Sequence, residues 1–174
     1  MKKILKAALL ILFVSLLAYF GYKIITKIKH KKQIAHNIKT IPVFSFEKTQ
    51  GGVYTNKNLI ANQATLFIYY NSQCEFCNEE AKMIRENITK FANIQIVFVS
   101  YENTKQIIAF AKTHQLYNYD NITFLSDTKM SFSAIFDVKS LPCLILYDRN
   151  KQLIEKIKGQ VNVETLLKQL QTTN

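Results

Sequence analysis

The apolar positions along the chain are grouped in a way that predicts alternating strands and helices. Short runs rich in β-branched and aromatic residues predict buried strands. These runs occupy residues 65–70, 94–99 and 144–147. Apolar residues spaced three and four apart predict amphipathic helices between and after the strands. The helices are expected over residues 78–92, 104–116 and 163–170, with a further short helix over 129–136.

Weaker patterns complete the predicted sheet. Residues 41–46 alternate in polarity and predict the strand that opens the domain, and residues 53–54 begin a short second strand. Residues 122–125 form either a short strand or an irregular connection. Residues 153–157 also alternate and follow a turn, so they predict an antiparallel hairpin with 144–147. The order of elements predicts an α/β fold with a mixed, mostly parallel central sheet flanked by helices.

The N-terminal residues 7–22 form a long uncharged, apolar run. This run is shorter than the roughly 20 residues that span a bilayer, but the long side chains of Lys6 and Lys23 can reach the headgroups. The usable stretch then covers residues 4–25, about 33 Å at a rise of ~1.5 Å per residue. Because no clear small-x-small cleavage pattern follows, we predict that residues 1–25 are an uncleaved transmembrane signal anchor; a cleaved signal peptide is the alternative.

After the anchor, residues 26–40 predict a polar tether and residues 41–174 a single domain. The formal charge is +11, but residues 1–32 contain eight lysines and no acidic residue. The remaining 15 basic and 12 acidic residues leave only +3 for the rest of the chain, so we expect no nucleic-acid partner. Lysines flank the apolar run on both sides, so charge alone does not fix its orientation. We favour the extracytoplasmic, periplasmic side for the domain.

Cys74 and Cys77 carry the candidate chemistry. The pair directly follows the predicted strand 65–70 and precedes a predicted helix. Thiols three residues apart in the first turn of a helix lie on one face. Unpaired backbone N–H groups and the positive end of the helix dipole then favour the thiolate of the first cysteine. This arrangement favours disulfide exchange. A structural disulfide or half of a zinc site are the alternatives, although a second pair of metal ligands is missing from the sequence.

At this point the sequence resembles the thioredoxin superfamily, and within it the membrane-anchored TlpA-like and ResA-like thiol-disulfide oxidoreductases. The resemblance covers residues 41–172. The motifs that carry it are Ile41-Pro42-Val43-Phe44, Gly51-Gly52, Cys74-x-x-Cys77-x-x-Glu80, Leu141-Pro142 and Lys158-Gly159. The resemblance implies a thioredoxin-like fold behind the predicted N-terminal transmembrane helix.

The same resemblance implies roles for four residues. Cys74 is the nucleophile that attacks a partner disulfide, and Cys77 resolves the mixed disulfide. Pro142 follows a cis peptide bond beside the thiols, where the backbone of Leu141 can pair with a substrate peptide. Glu80 either passes a proton to Cys77 or is only a solvated acid in the first helical turn. The resemblance implies neither a cofactor nor a metal ion.

Glu75 lies between the two cysteines, and its negative charge disfavours the thiolate of Cys74. We therefore predict a membrane-tethered oxidoreductase that reduces disulfides. Its expected partners are protein thiol or disulfide substrates and an upstream membrane electron donor. Two other functions stay open: a non-catalytic thioredoxin-fold binding module, and a thiol peroxidase. The peroxiredoxin pattern Pro-x-x-x-Thr-x-x-Cys is absent from the sequence.

The remaining cysteine and the histidines are harder to interpret. Cys143 directly follows Pro142, where relatives often have Thr. It is either a small buried side chain in the core or a third thiol within reach of the active-site pair. His30, His36 and His114 are scattered along the chain and predict surface positions, not a metal site.

Overall fold

The computed structural model describes residues 2–171, without the side chains at positions 2, 3, 5, 7–9 and 171. The first residue of the predicted anchor and residues 172–174 of the predicted domain lie outside the described residues. The chain forms two compact units, Met1–Asn37 and Ile38–Asn174.

The first unit is one long helix, α1 (Lys2–Asn37). The helix continues through residues 26–37, which belong to the predicted tether. Within it, Leu10–Asn37 contains a stretch long and apolar enough to cross a membrane, and none of that stretch is buried by the described chain. Leu12, Phe13 and Leu17, for example, are all more than half exposed. An exposed apolar helix of this length is typical of a membrane span and equally of a signal sequence.

The second unit is built on one mixed sheet. Its strands are β1 (Ser45–Lys48), β2 (Val53–Thr55), β3 (Ala64–Tyr70), β4 (Ile94–Ser100), β5 (Ile122–Ser126), β6 (Cys143–Tyr147) and β7 (Leu153–Lys158). They lie in the order β2-β1-β5-β4-β3-β6-β7. β3, β4 and β5 are parallel, and the other neighbouring pairs are antiparallel. The predicted α/β architecture with a mixed sheet and the predicted hairpin of β6 with β7 are confirmed. The prediction of a mostly parallel sheet is wrong, because four of its six neighbouring strand pairs are antiparallel.

Helices cover both faces of this sheet. They are α2 (Glu75–Glu86), α3 (Thr104–Thr113), α4 (Ser131–Phe136) and α5 (Val163–Gln171), with 3₁₀ turns at Asn56–Asn58 and Ile88–Phe91. Side chains of α2, α3 and α5 pack on one face in a single apolar cluster. On the other face, Phe132 of α4 packs against Phe67 and Tyr69 of β3. All seven residues of β3 are buried, which explains why its sequence is a continuous apolar run.

The chain enters this unit at Ile38. The Ile38 side chain is buried, and its carbonyl accepts a hydrogen bond from the Tyr147 hydroxyl at 2.9 Å. Thr40 forms an isolated β-bridge with Gln152. Residues 38–40, predicted as the end of the tether, therefore pack on the domain.

The ends of several strands and the start of another lie together at one end of the sheet. The carboxyl ends of the parallel strands β3, β4 and β5 meet at this edge, together with the start of the antiparallel strand β6. Loops at this edge connect directly to α2 and α3, and the candidate chemistry of the chain lies here.

Candidate active site

Cys74 lies in the loop between β3 and α2. It is the N-cap residue of α2, with extended backbone angles (φ −82°, ψ 115°). Its backbone N–H donates to the Asn71 carbonyl at 3.1 Å, which closes the turn between strand and helix. A capping residue normally presents a side-chain acceptor to the free N–H groups of the first helical turn, and here that acceptor is sulfur.

The two thiols have different environments although they are one helical turn apart. Cys74 is partly exposed, and its Sγ accepts a hydrogen bond from the Cys77 backbone N–H at 3.3 Å. Cys77 is only 1 % exposed. Burial raises the pKa of Cys77 well above its ordinary value, and the neighbouring Cys74 and Glu80 raise it further. The pair therefore combines an accessible thiol that a backbone dipole stabilises with a buried thiol that holds its proton.

Glu80 lies on the same face of α2, one turn after Cys77, and is completely buried. Its Oε2 accepts a hydrogen bond from the Val161 backbone N–H at 3.2 Å, whereas Oε1 has no partner among the described residues. Burial raises the pKa of Glu80 from 4.5 to about 7. A carboxyl group with such a pKa can accept or release a proton near neutral pH. Of the two interpretations from the sequence, the solvated acid is wrong.

Pro142 lies just before β6, the strand beside β3. The Leu141–Pro142 peptide bond is cis, and the Pro142 carbonyl accepts a hydrogen bond from the Gly159 N–H at 2.8 Å. Leu141 and Cys74 both pack against the apolar cluster that contains Cys77. The structure thus places Leu141, just before β6, at the edge of the sheet where β3 delivers the cysteine pair.

Cys143 is buried, but on the other face of the sheet. It is paired with Tyr69 in the register of β3 and β6, and side chains alternate between faces along each strand. Leu144 and Leu146 belong to the cluster around Cys77, so Cys143 points away from that cluster. The structure therefore favours the interpretation of Cys143 as a small core side chain over that of a third redox thiol.

A buried carboxylate holds the loop before Cys74. Glu102, 6 % exposed, accepts hydrogen bonds from the Ser72 backbone N–H at 2.9 Å and from the Ser100 hydroxyl at 2.9 Å. The Ser72 hydroxyl donates to the same carboxylate at 2.5 Å. Three donors satisfy this buried charge, and in return they fix the loop to the end of β4.

Asn78 of α2 holds the same loop and connects it to His114 at the end of α3. The Asn78 side-chain amide donates to the carbonyl of Ser72 at 3.0 Å and to that of Cys74 at 2.8 Å. Its Oδ1 is 2.8 Å from His114 Nε2. His114 is half-buried at the surface, and its ring packs against Phe110 with a centroid distance of 4.5 Å.

Comparison with known proteins decides the family. The model of the AhpC/TSA family matches residues 38–156, well over half of the chain. The chain belongs to the AhpC/TSA family. No curated protein matches the chain closely enough to count as a relative.

Solved structures share the fold of this AhpC/TSA member at low sequence identity. A putative thiol:disulfide interchange protein DsbE from Chlorobium tepidum is 19 % identical, with a TM-score of 0.65 over 77 % of this chain and 94 % of that one. The peroxidoxin BcpB from Mycobacterium tuberculosis is 16 % identical, with a TM-score of 0.66 over 78 % and 96 %. StoA from Bacillus subtilis is 18 % identical, with a TM-score of 0.58 over 75 % and 98 %. The predicted thioredoxin-like fold is confirmed.

The sequence motifs located part of the site. The structure brings Cys74, Cys77 and Glu80 together on one face of α2, with the Leu141–Pro142 bond at the same edge of the sheet. Sequence reasoning missed Glu102 and the pair of Asn78 and His114. A signal for Asn78 existed, because an amide in the first turn of a helix readily bonds nearby carbonyls. Glu102 and His114 are 30 and 36 residues from their partners, a separation that local patterns do not reveal.

Proposed function

We propose that this AhpC/TSA family member is a membrane-tethered thiol-disulfide oxidoreductase that reduces disulfides in protein substrates through Cys74 and Cys77. The observation that carries the proposal is the asymmetry of the pair. Cys74 is accessible, and its sulfur accepts a backbone N–H, whereas Cys77 is buried and one turn away. A nucleophile needs access and a stabilised thiolate, and a resolving thiol needs only proximity.

The reaction proceeds in two exchanges. The Cys74 thiolate attacks one sulfur of the client disulfide, so that a mixed disulfide forms and the client's other sulfur leaves as a thiolate. Cys77 then loses its proton and attacks Cys74 Sγ, which releases the second client thiolate and leaves a Cys74–Cys77 disulfide. Two electrons pass to the client, whose two thiolates take up two protons. A dithiol donor then reduces the Cys74–Cys77 disulfide by the same two exchanges.

Glu80 is suited to take the proton of Cys77. The thiol is too buried to give its proton directly to water, and the carboxyl group is buried beside it. With its pKa near neutrality, Glu80 is substantially ionised at pH 7 and able to accept that proton. Leu141 contributes backbone groups for an extended client segment beside Cys74.

The direction and the tether rest on two further features. Glu75 is an exposed acid between the two thiols. Its negative charge disfavours the charged, reduced form of the cysteine pair, which supports a reducing couple. Because Glu75 is exposed, this effect is weaker than that of a buried acid. The exposed apolar surface of α1 supports a membrane anchor. An extracytoplasmic domain is part of the proposal and does not follow from α1.

Reduction of insulin disulfides by the full-length chain in detergent, with dithiothreitol as donor, tests this function. We expect turnover that is lost on Cys74→Ser, and a reduction potential of the pair below roughly −150 mV. Insulin reduction no faster than the dithiothreitol background, for the unchanged chain and the Cys74→Ser variant alike, would instead indicate a non-catalytic binding module. A potential above this value would contradict the reducing direction.

Thiol peroxidase activity is the second candidate, and the family match together with the fold of BcpB favours it. In that reaction Cys74 would be oxidised by a hydroperoxide to a sulfenic acid with release of water or alcohol, and Cys77 would condense with it to form the disulfide and water. The peroxiredoxin pattern has Thr three residues and Pro seven residues before its cysteine, where this chain has Asn71 and Phe67. Consumption of hydrogen peroxide faster than reduction of insulin would favour the peroxidase.

A further inference from the structure

The side chain of Asn78 directs both of its amide hydrogens at the cysteine loop. Both amide hydrogens are directed at carbonyl oxygens, those of Ser72 and Cys74. Because these partners only accept, the nitrogen of the amide must face them and Oδ1 must face away. The orientation of the amide is therefore fixed by its partners, and Oδ1 is left as an acceptor.

His114 supplies the donor that Oδ1 needs. It caps the C-terminus of α3, and its Nε2 lies 2.8 Å from Asn78 Oδ1. An amide oxygen can only accept, so Nε2 carries the hydrogen. Burial lowers the pKa of His114, which favours a neutral ring. The contact with Phe110 fixes the plane of the ring. A chain of defined hydrogen bonds thus runs from α3 through Asn78 to the cysteine loop.

The Cys74 carbonyl is the point at which this chain meets the nucleophile. It accepts hydrogen bonds from the backbone N–H groups of Cys77 and Asn78, both at 3.1 Å, as well as from the Asn78 amide. The same Cys77 N–H also points at Cys74 Sγ, 3.3 Å away. The direction of the Cys77 N–H depends on the turn that the Cys74 carbonyl closes. A hydrogen bond that fixes this carbonyl therefore also fixes the direction of the Cys77 N–H toward Cys74 Sγ.

We propose that His114 is a positioning residue for the nucleophile Cys74 and acts through Asn78. This inference rests on the proposed function of Cys74. Without the donor at Nε2, the Asn78 amide loses one of its three hydrogen bonds, and its remaining bonds hold the carbonyls of Ser72 and Cys74 less firmly. The Cys77 N–H then points less well at Cys74 Sγ, and the thiolate becomes less populated and less reactive.

The alkylation rate of Cys74 in the reduced, full-length chain, followed by iodoacetamide labelling and peptide mass analysis over a range of pH, measures this effect. We expect His114→Leu to slow alkylation at pH 7 by about fivefold and to move the pH–rate profile to higher pH, since one hydrogen bond is lost. His114→Gln keeps an N–H donor of similar reach and should restore the rate to within about twofold. Thr113→Leu is the matched control and should leave the rate unchanged, because Thr113 and His114 both line a 300 Å³ cavity beside the loop, and Thr113 makes no bond to Asn78.

A double-mutant cycle tests whether the effect passes through the amide. In an Asn78→Ala background, His114→Leu should have no further effect on the rate. Equal rates for His114→Leu and the unchanged chain would overturn the proposal. It would also be overturned if His114→Gln were as slow as His114→Leu, since ring packing and not the hydrogen bond would then be responsible. Alkylation needs no client, so the result is readable even if Cys74→Ser retains insulin reduction and the proposed function fails.

Discussion

The two faces of the central sheet each bury a cysteine, and the comparison shows what makes a buried thiol useful. Cys77 and Cys143 are both 1 % exposed, and burial raises the pKa of both. On the face of α2, Cys77 has an accessible thiol one turn away and a buried carboxyl group on its own helix. Depth and thiol chemistry are the same on both faces, so the difference lies in the neighbours.

On the face of α4, Cys143 is surrounded by groups that stabilise structure. Its cross-strand partners are Tyr69 and Lys158. The neighbouring lysine, Lys156, donates hydrogen bonds to the backbone carbonyls of Phe136 and Asp137, so it ties β7 to the end of α4. Lysine charge counteracts the effect of burial on the Cys143 thiol, but a second thiol is not part of this surrounding. A buried cysteine becomes a resolving thiol only through a partner sulfur within reach.

The largest expected difference between the faces comes from replacing each buried cysteine by serine. Cys77→Ser should abolish insulin reduction, by a factor on the order of 100 or more, and should accumulate mixed disulfides with clients because nothing resolves them. Cys143→Ser is the matched control and should retain turnover within about twofold. Trapped adducts are read by non-reducing electrophoresis of intact cells. Adduct formation by the Cys143→Ser variant, or its loss of turnover, would break the distinction between the faces.

Sequence patterns predicted the sheet well where both of its faces are buried. The runs of β3, β4 and β6 were placed within one residue because every position in them is apolar or buried. The first strand was predicted at 41–46 but spans Ser45–Lys48. Phe44 and Phe46 are buried in alternation as expected, yet the Phe44 N–H donates to the Asn56 side chain at 3.0 Å instead of to a strand. A side-chain acceptor from a distant loop is invisible to periodicity.

The helix after the cysteine pair shows the same limit. Its apolar positions continue to Phe91, which predicted one helix over 78–92, but α2 ends at Glu86. Asn87 interrupts it, because its side-chain amide bonds the Met83 carbonyl, and a 3₁₀ turn carries Ile88–Phe91 instead. Spacing located the thiols and Glu80. Burial of Glu80 could not be foreseen, since it depends on α5 and the Val161 N–H that precedes it.

The face of α4 should matter most for folding. Phe132 is fully buried and stacks on Tyr69 with a centroid distance of 5.1 Å, and it also contacts Phe46, Phe67 and Phe136. Phe132→Ala should lower the free energy of unfolding by about 3–5 kcal/mol, because it opens a cavity between aromatic rings. The reduction potential of the cysteine pair should stay unchanged. Phe76→Ala is the matched control: Phe76 is 60 % exposed, so its removal should change stability by less than about 0.5 kcal/mol. Urea denaturation of both variants measures the difference.

The buried carboxyl group on the face of α2 should make the free energy of unfolding depend on pH. Burial raises the pKa of Glu80 from 4.5 to about 7, so between these values the folded chain binds a proton that the unfolded chain has released. The free energy of unfolding therefore falls as pH rises through this window, by about 3 kcal/mol in total, and the penalty is fully present above pH 7.

Glu80→Gln should remove this pH dependence, since the amide stays neutral and fits the same space. The variant should then be more stable than the unchanged chain at pH 8 and similar to it at pH 4, when urea denaturation is measured at both. The same substitution should slow the release of client from the mixed disulfide, because the buried Cys77 thiol loses its proton acceptor. Glu79→Gln, one position earlier and exposed, should alter neither property. If stability of the Glu80→Gln variant fell with pH as steeply as before, the carboxyl group would not be protonated in the folded chain. The pH dependence of stability would then come from a group other than Glu80.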